Sequence, residues 1–248
     1  MENTIKVHEV NPAANGRRSF LKLSGLTLVG TGLLIAGCSD DDDPADSSRL
    51  PGLRNGIFDL GGGDFGILSY AYALEQLESD FYTKVVNGTN FNTAFTEEDR
   101  AVLTDLYKHE VIHREFFKTA LTAALPNPST QLLPDLAFNY GSLNFNSRAE
   151  VLATAKALED TGVGAYNGAG ALLVNPTYLL LAGKIVSVEA RHASAIRSLI
   201  NPNSKDFAGD DIVGASNGLD TVKSPSQVIP IAKGFITTNF TANYLPTS

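Results

Sequence analysis

Twice along this chain the triplet Ala-Leu-Glu is followed by a tyrosine seven positions after its glutamate: Ala73-Leu74-Glu75 with Tyr82, and Ala157-Leu158-Glu159 with Tyr166. Each time the next helical stretch carries Glu-x-x-His, first Glu110 to His113 and then Glu189 to His192. A duplicated helix pair is the plain explanation, and it predicts an approximate two-fold axis through the folded product. Positions i and i+3 lie about 60° apart on a helix, so Glu110 and His113 project from one face. That face is apolar, with Val102, Leu106, Phe117 and Ala120 near the same stripe. Leu181, Ile185, Ile196 and Leu199 accompany Glu189 and His192; Ala71, Tyr82 and Val85 accompany Glu75; Leu152, Ala155 and Tyr166 accompany Glu159. Each of four helices therefore points one carboxylate into what should be the core.

The start and stop signals agree with four helices. Asp64, after Gly61-Gly62-Gly63, can cap a helix running to about Asn87, with Gly88 as its stop. Thr96 and Asp99 make a start resembling a capping box, and Pro126 forces an end soon after Leu125. Ser147 and Glu150 open a third helix reaching about Leu173, and Asn175-Pro176 opens a fourth that stops by Asn201-Pro202. Two of the connections are short, whereas roughly 20 residues separate the second helix from the third, enough to travel the length of a bundle and begin a parallel helix. The expected architecture is all-α: a four-helix bundle over 61–201 with a long crossover between helices 2 and 3, plus a C-terminal extension over 202–248. In that extension a short helix from Ser224-Pro225 through Phe235 and an extended tail from Thr237 to Leu245 are expected; the segment carries no functional reading.

Four buried carboxylates without counter-charge would each cost several kcal/mol or more, on the order of an isolated buried ion. Two divalent cations would neutralise them and leave two imidazoles as neutral ligands. Carboxylate-rich ligation with one histidine per metal and no thiolate suits iron or manganese rather than structural zinc. The outer nitrogen of each imidazole then needs a partner of its own, which the sequence does not identify.

Glu75, Glu110-x-x-His113, Glu159 and Glu189-x-x-His192 resemble the ligand set of the ferritin-like di-iron and di-manganese carboxylate proteins, in which two helices give one glutamate each and two give Glu-x-x-His. The Glu-x6-Tyr spacing is similar to that of ferritins and rubrerythrins. Leu-Glu-x-Leu-Glu-x-x-Phe-Tyr at 74–82, with the Gly-rich third helix, resembles the ferritin-like family that includes desiccation-related proteins. The resemblance covers about residues 64–201 and implies a ferritin-like bundle holding two iron or manganese ions on those six residues. Glu78, one turn from Glu75, is a candidate ligand or neighbour of the metals, and Tyr82 and Tyr166 are packing residues or redox partners. His109 points about 100° away from Glu110, towards the surface or the surroundings of the ligands. Gly162, Gly164, Gly168 and Gly170 each cost about 1 kcal/mol in a helix relative to Ala. They are expected to let the third helix approach its partners, or the metals, closely.

The first part of the chain does not read as fold. Arg17 and Arg18 with Phe20-Leu21-Lys22 resemble a twin-arginine export signal, and the apolar run Leu26 to Ala36 is about half the length of a bilayer-spanning helix. It ends in Leu33-Leu34-Ile35-Ala36-Gly37-Cys38, which resembles a lipobox and makes Cys38, the only cysteine, the expected lipidation site. Residues 1–37 thus read as a lipoprotein signal peptide and 38–60, opening on Ser39 and four aspartates, as an acidic flexible tether. Residues 1–37 hold four basic and two acidic side chains, so the net charge of −8 becomes −10 beyond them. Such a chain is a poor nucleic-acid binder. The expected location is the cell envelope, periplasmic or cell-surface, with the membrane touched through the lipid anchor only. Past the leader there is no Met, Trp or free thiol, which suits a protein meeting peroxide or oxygen.

Together these features point to redox chemistry of a dinuclear iron or manganese centre on a small-molecule oxidant, catalase-, peroxidase- or ferroxidase-like. A non-catalytic envelope scaffold of desiccation or oxidative stress, with metal as a staple, is the alternative. A closed iron-storage shell fits poorly with a lipid anchor, a long tether and an extension, while a smaller homo-oligomer stays open.

Overall fold

The computed structural model describes residues 49–245. The export arginines Arg17 and Arg18, the lipidation site Cys38 and the acidic run after it lie outside the described residues. In chain order the elements are β1 (Gly52–Arg54), β2 (Ile57–Asp59), α1 (Gly63–Val86), α2 (Phe91–Ala94), α3 (Glu97–Ala124), α4 (Pro128–Gln131), α5 (Arg148–Gly170), α6 (Pro176–Ile200), a 3-10 turn (Asp206–Ala208), α7 (Pro225–Lys233) and β3 (Phe240–Thr241). Among the described residues no helix is long and apolar enough to cross a membrane.

Polar side chains fix where three of the long helices begin. At α3 the Thr96 hydroxyl accepts from the Asp99 amide at 3.1 Å while the Asp99 carboxylate accepts from the Thr96 amide at 2.9 Å, a complete capping box. Arg148, opening α5, donates twice to the same carboxylate at 2.7 Å, so one aspartate joins the start of α3 to the start of α5. Asn175 caps α6 through the amides of Thr177 and Tyr178, with Pro176 at the first helical position. The first helix departs from expectation. Its cap is Gly62, with no side-chain cap bond, and Asp64 instead accepts from the amides of Val174 and Asn175 at 2.8 Å each. It thereby pins the α5–α6 connection to the start of α1. The third helix ends at Gly170 rather than near Leu173, where the chain turns on the carbonyls of Ala169 and Gly170.

α1 packs along α3, and α5 along α6. α1 is the interior helix: it buries 16 of its 24 residues, against 6 of 28 for α3. The segment between α3 and α5 lies along it. Gln76 accepts from the Leu136 amide at 2.8 Å and donates to the Pro134 carbonyl, and the Tyr140 hydroxyl meets the Leu77 carbonyl and the Asp80 carboxylate. α7 covers α1 and α5 from another side.

One expectation needs correcting. The tether does not extend to residue 60, because residues 52–59 form an antiparallel hairpin whose Phe58 is buried together with Leu60 just beyond it. Its turn is Asn55-Gly56, both with positive φ, the conformation a tight two-residue hairpin requires. β2 also pairs in parallel with β3, so a small three-stranded sheet accompanies the mostly helical fold. The fully buried Asp59 secures it, accepting from the Gly61 amide, the Thr241 hydroxyl and the Asn243 amide at 2.6–3.1 Å.

The extension also explains the glycines of α5. Lys223 runs across this helix, its amide donating to the Gly164 carbonyl at 2.9 Å and its ammonium to the Asp160 carbonyl at 3.0 Å. A Cβ on Gly168 would lie 2.0 Å from the Lys223 carbonyl oxygen, and one on Gly164 would lie 3.1 Å from the Lys223 side chain. The close approach is thus to the C-terminal segment at these two positions, and to the Glu78 carboxylate at Gly162. Gly170 meets only an ordinary contact with Leu179. Buried Arg197 on α6 adds a second fastening, donating twice to Asp160 and twice to Asp211 at 2.7–2.9 Å. Its hydrogen bonds hold the Asp211 carboxyl down at about 2.

Substituting Gly168 with Ala is expected to lower stability by about 1–3 kcal/mol, since the extension must lift to admit the methyl. Gly183→Ala in α6 places its methyl where no atom lies within 4 Å, and a gain of up to about 1 kcal/mol is expected. Urea unfolding of both variants reads the difference; equal effects would contradict the packing account.

Candidate metal centre

The four long helices bring Glu75, Glu110, His113, Glu159, Glu189 and His192 to one place. They make two groups, Glu75–Glu110–His113–Glu189 and Glu110–Glu159–Glu189–His192, in each of which the donor atoms lie within 4.8 Å of one another. His113 Nδ1 is 2.8 Å from Glu189 Oε1, 3.5 Å from Glu75 Oε2 and 3.6 Å from Glu110 Oε2. His192 Nδ1 is 2.8 Å from Glu110 Oε1, 3.3 Å from Glu189 Oε2 and 3.6 Å from Glu159 Oε2. Glu110 and Glu189 therefore each turn one oxygen towards either histidine, while Glu75 and Glu159 serve one group only. All four carboxylates are fully buried.

Glu-x6-Tyr also finds its reason here. Seven residues are two helical turns, so each tyrosine lies on the face of its own glutamate. Tyr82 on α1 donates to Glu159 Oε1 on α5 at 2.5 Å, and Tyr166 on α5 donates to Glu75 Oε1 on α1. Each copy of the motif holds the glutamate of the other. Burial and the facing carboxylate keep both phenols protonated well above their ordinary range, so they act as donors.

The remaining donor atoms have no such partner. Glu75 Oε2, both oxygens of Glu110 and of Glu189, Glu159 Oε2 and the Nδ1 atoms of both histidines are buried with no hydrogen bond. The 2.8 Å approaches to the imidazoles lack the direction of a hydrogen bond, which is the arrangement of donors aimed at a shared centre rather than at one another. These eight atoms fall four to each group, and buried anionic oxygens without counter-charge are costly. A carboxylate and histidine cluster of this kind can hold metal.

Charge is shared unevenly across the cluster. Burial, helped by Glu189, pushes the Glu110 carboxyl up to about 8 despite both histidines. Burial likewise raises Glu159 to about 7 against the pull of His192. For Glu189 burial is outweighed by the nearness of the His113 and His192 imidazoles, which hold it at about 2. Burial opposes protonation of the imidazoles, yet Glu75, Glu110 and Glu189 raise His113 well above its ordinary range, and Glu159, Glu110 and Glu189 do the same for His192.

Glu78 stands beside the cluster and in neither group. It is buried against Gly162, and burial together with the neighbouring carboxylates raises it far above the usual range. His109, which the sequence leaves between surface and ligand surroundings, has its Nδ1 2.9 Å from His192 Nε2 with the rings stacked. The contact joins α3 to α6, and no local spacing announces it.

Tyr82→Phe and Tyr166→Phe each leave one buried carboxylate oxygen without its donor. A loss of about 1–3 kcal/mol is expected for either, of similar size because the motif repeats, as read by chemical unfolding of the metal-free protein.

A family model for the ferritin-like domain matches residues 63–202, the stretch from the start of α1 to just past α6. No curated protein matches the chain. With more than half of its length matched and its carboxylates and histidines gathered on four long helices, the chain belongs to the ferritin-like domain family.

Proposed function

We propose that the four long helices form a ferritin-like bundle with a long crossover and hold a dinuclear iron or manganese centre that works on peroxide or oxygen. Residue pairings support the topology. Glu75 meets Tyr166 and Tyr82 meets Glu159, so α1 and α5 run in opposite directions; His109 meets His192 and His113 meets Glu189, so α3 and α6 do too. The single observation that carries the metal reading is the set of eight buried donor atoms without hydrogen bonds, four to each group.

Two such ions, each changing by one electron, would together supply the two-electron step that peroxide chemistry needs. The chain's own part is to bind them, with Glu110 and Glu189 facing both positions and Glu75 and Glu159 facing one each. Tyr82 and Tyr166 orient the outer glutamates and hold a proton on each phenol oxygen. The buried surroundings exclude bulk water, leaving His113, with a side chain 11% exposed, as the ligand nearest solvent.

The scaffold reading, with metal as a staple, has one observation in its favour. Five of the six side chains are nearly or fully buried, so little room is visible for a substrate. Elemental mass spectrometry of protein purified from its own cell distinguishes the cases. About two iron or manganese atoms per chain are expected, lost in Glu110→Ala and Glu189→Ala, together with peroxide disproportionation or Fe(II) oxidation that vanishes in the same variants. Metal without turnover would favour the scaffold, and folded protein without metal would overturn the centre.

Export to the envelope belongs to the same proposal, supported by Arg17-Arg18, the apolar run and Cys38. Cys38→Ala should yield a protein lacking acyl mass and released from membranes, and replacing both arginines with Lys should retain it in the cytoplasm. Cell fractionation with intact-mass measurement reads both.

A further inference from the structure

Among the positions at which the two copies differ, one lies directly beside the centre. Aligning Glu110 with Glu189 places His109 opposite Val188 and Asp105 opposite Lys184. Only the first copy therefore carries an imidazole just before its Glu-x-x-His. That imidazole does not serve the histidine of its own helix. It crosses to α6, where its Nδ1 lies 2.9 Å from His192 Nε2, with ring planes 12° apart and centroids separated by 5.1 Å. Val188, its counterpart, has no group that could do the same for His113.

The direction of the bond follows from which nitrogen faces the cluster. His192 turns Nδ1 towards Glu110, Glu159 and Glu189. An imidazole that gives the Nδ1 lone pair to a cation carries its proton on Nε2 and must donate there. His109 Nδ1 is the acceptor in reach, so the His109 proton sits on Nε2, which faces the Asp105 carboxylate 3.9 Å away. The contact thus leads from the buried imidazole of His192 to the surface, where the His109 side chain is 41% exposed. On the other side, the His113 side chain is 11% exposed against 3% for His192.

We infer that His109 is a positioning residue that makes the two metal positions unequal: it fixes the ring and proton of His192, so that the Glu159–His192 position binds more tightly than the Glu75–His113 position. The inference rests on the dinuclear reading proposed above. Outer partners of a ligating histidine commonly change affinity by about 10–100-fold, and among the described residues His192 has such a partner while no bond of this kind is made by His113.

Cobalt(II) titration of the chelator-stripped full chain, followed by its visible absorption and by calorimetry, provides the test. Two binding steps of unequal affinity are expected, the tighter abolished by Glu159→Gln and the weaker by Glu75→Gln. His109→Ala should weaken the tighter step by about 10–100-fold, shift its absorption band and leave the weaker step in place. His109→Gln, whose amide oxygen can accept from His192 Nε2, should restore much of the loss, which a merely structural role would not predict. Equal steps in the unaltered protein, or a tight step untouched by His109→Ala in a folded variant, would overturn the inference and leave the dinuclear centre standing. Failure of the unaltered protein to bind cobalt would instead overturn the centre itself.

Discussion

Four carboxylates buried at one point are the constraint to which the rest of this structure answers. Each negative charge removed from water must be met by a cation, a proton or a directed donor. Two oxygens are met by Tyr166 and Tyr82. The others, with two imidazole nitrogens, crowd together without hydrogen bonds. Protons can supply part of the answer where no cation is bound, since burial and the crowded carboxylates push up Glu110, Glu159 and both imidazoles while Glu189 is held down. Two positions, each faced by three carboxylate oxygens and one nitrogen, give the same atoms a common solution.

Duplication explains how so many polar groups came to be buried in register. A helix pair with one glutamate, one tyrosine two turns on, and a Glu-x-x-His cannot satisfy its own glutamate, because that tyrosine lies two turns away along the same helix. Two copies related by an approximate two-fold can, since antiparallel α1 and α5 set each tyrosine level with the other copy's glutamate. The hydrogen bonds between copies therefore tie the two hairpins together as well as orienting ligands, and loss of either tyrosine touches both fold and site.

What could be read from the sequence is what local chemistry encodes. The caps at Thr96, Ser147 and Asn175, the stop near Gly88 and the ligand spacing all act within a few residues of one another. The contacts that went unread are long-range. Asp64 has the composition of a cap but serves amides more than 100 residues away. The α5 glycines make room for Lys223, which no helical periodicity foreshadows. The hairpin before α1 carries a local signal, Asn55-Gly56 between apolar residues, which the acidic run just upstream masks by giving the segment the composition of a tether. The partner of His192 comes from a different helix, and the angle of His109 away from Glu110 only favours the surface or the surroundings of the ligands over direct ligation.

The two sides of the cluster consequently differ in a way the repeat alone would not produce. The side of α1 and α5 is sealed by elements outside the repeat: the segment between α3 and α5 on Gln76 and Tyr140, α7 above, and Lys223 across the α5 glycines. On the side of α3 and α6 the 3-10 turn and Asp211 meet α6 at Arg197, but Ile112 and His109 are about half and two-fifths exposed, and the edge of His113 reaches solvent. A small molecule approaching from that side meets imidazole before carboxylate. It also meets a position at which the two copies diverge, His109 against Val188. Divergence of a duplicated pair at its solvent side, with the buried ligands kept alike, is what unequal duties for two otherwise equivalent metal positions would require.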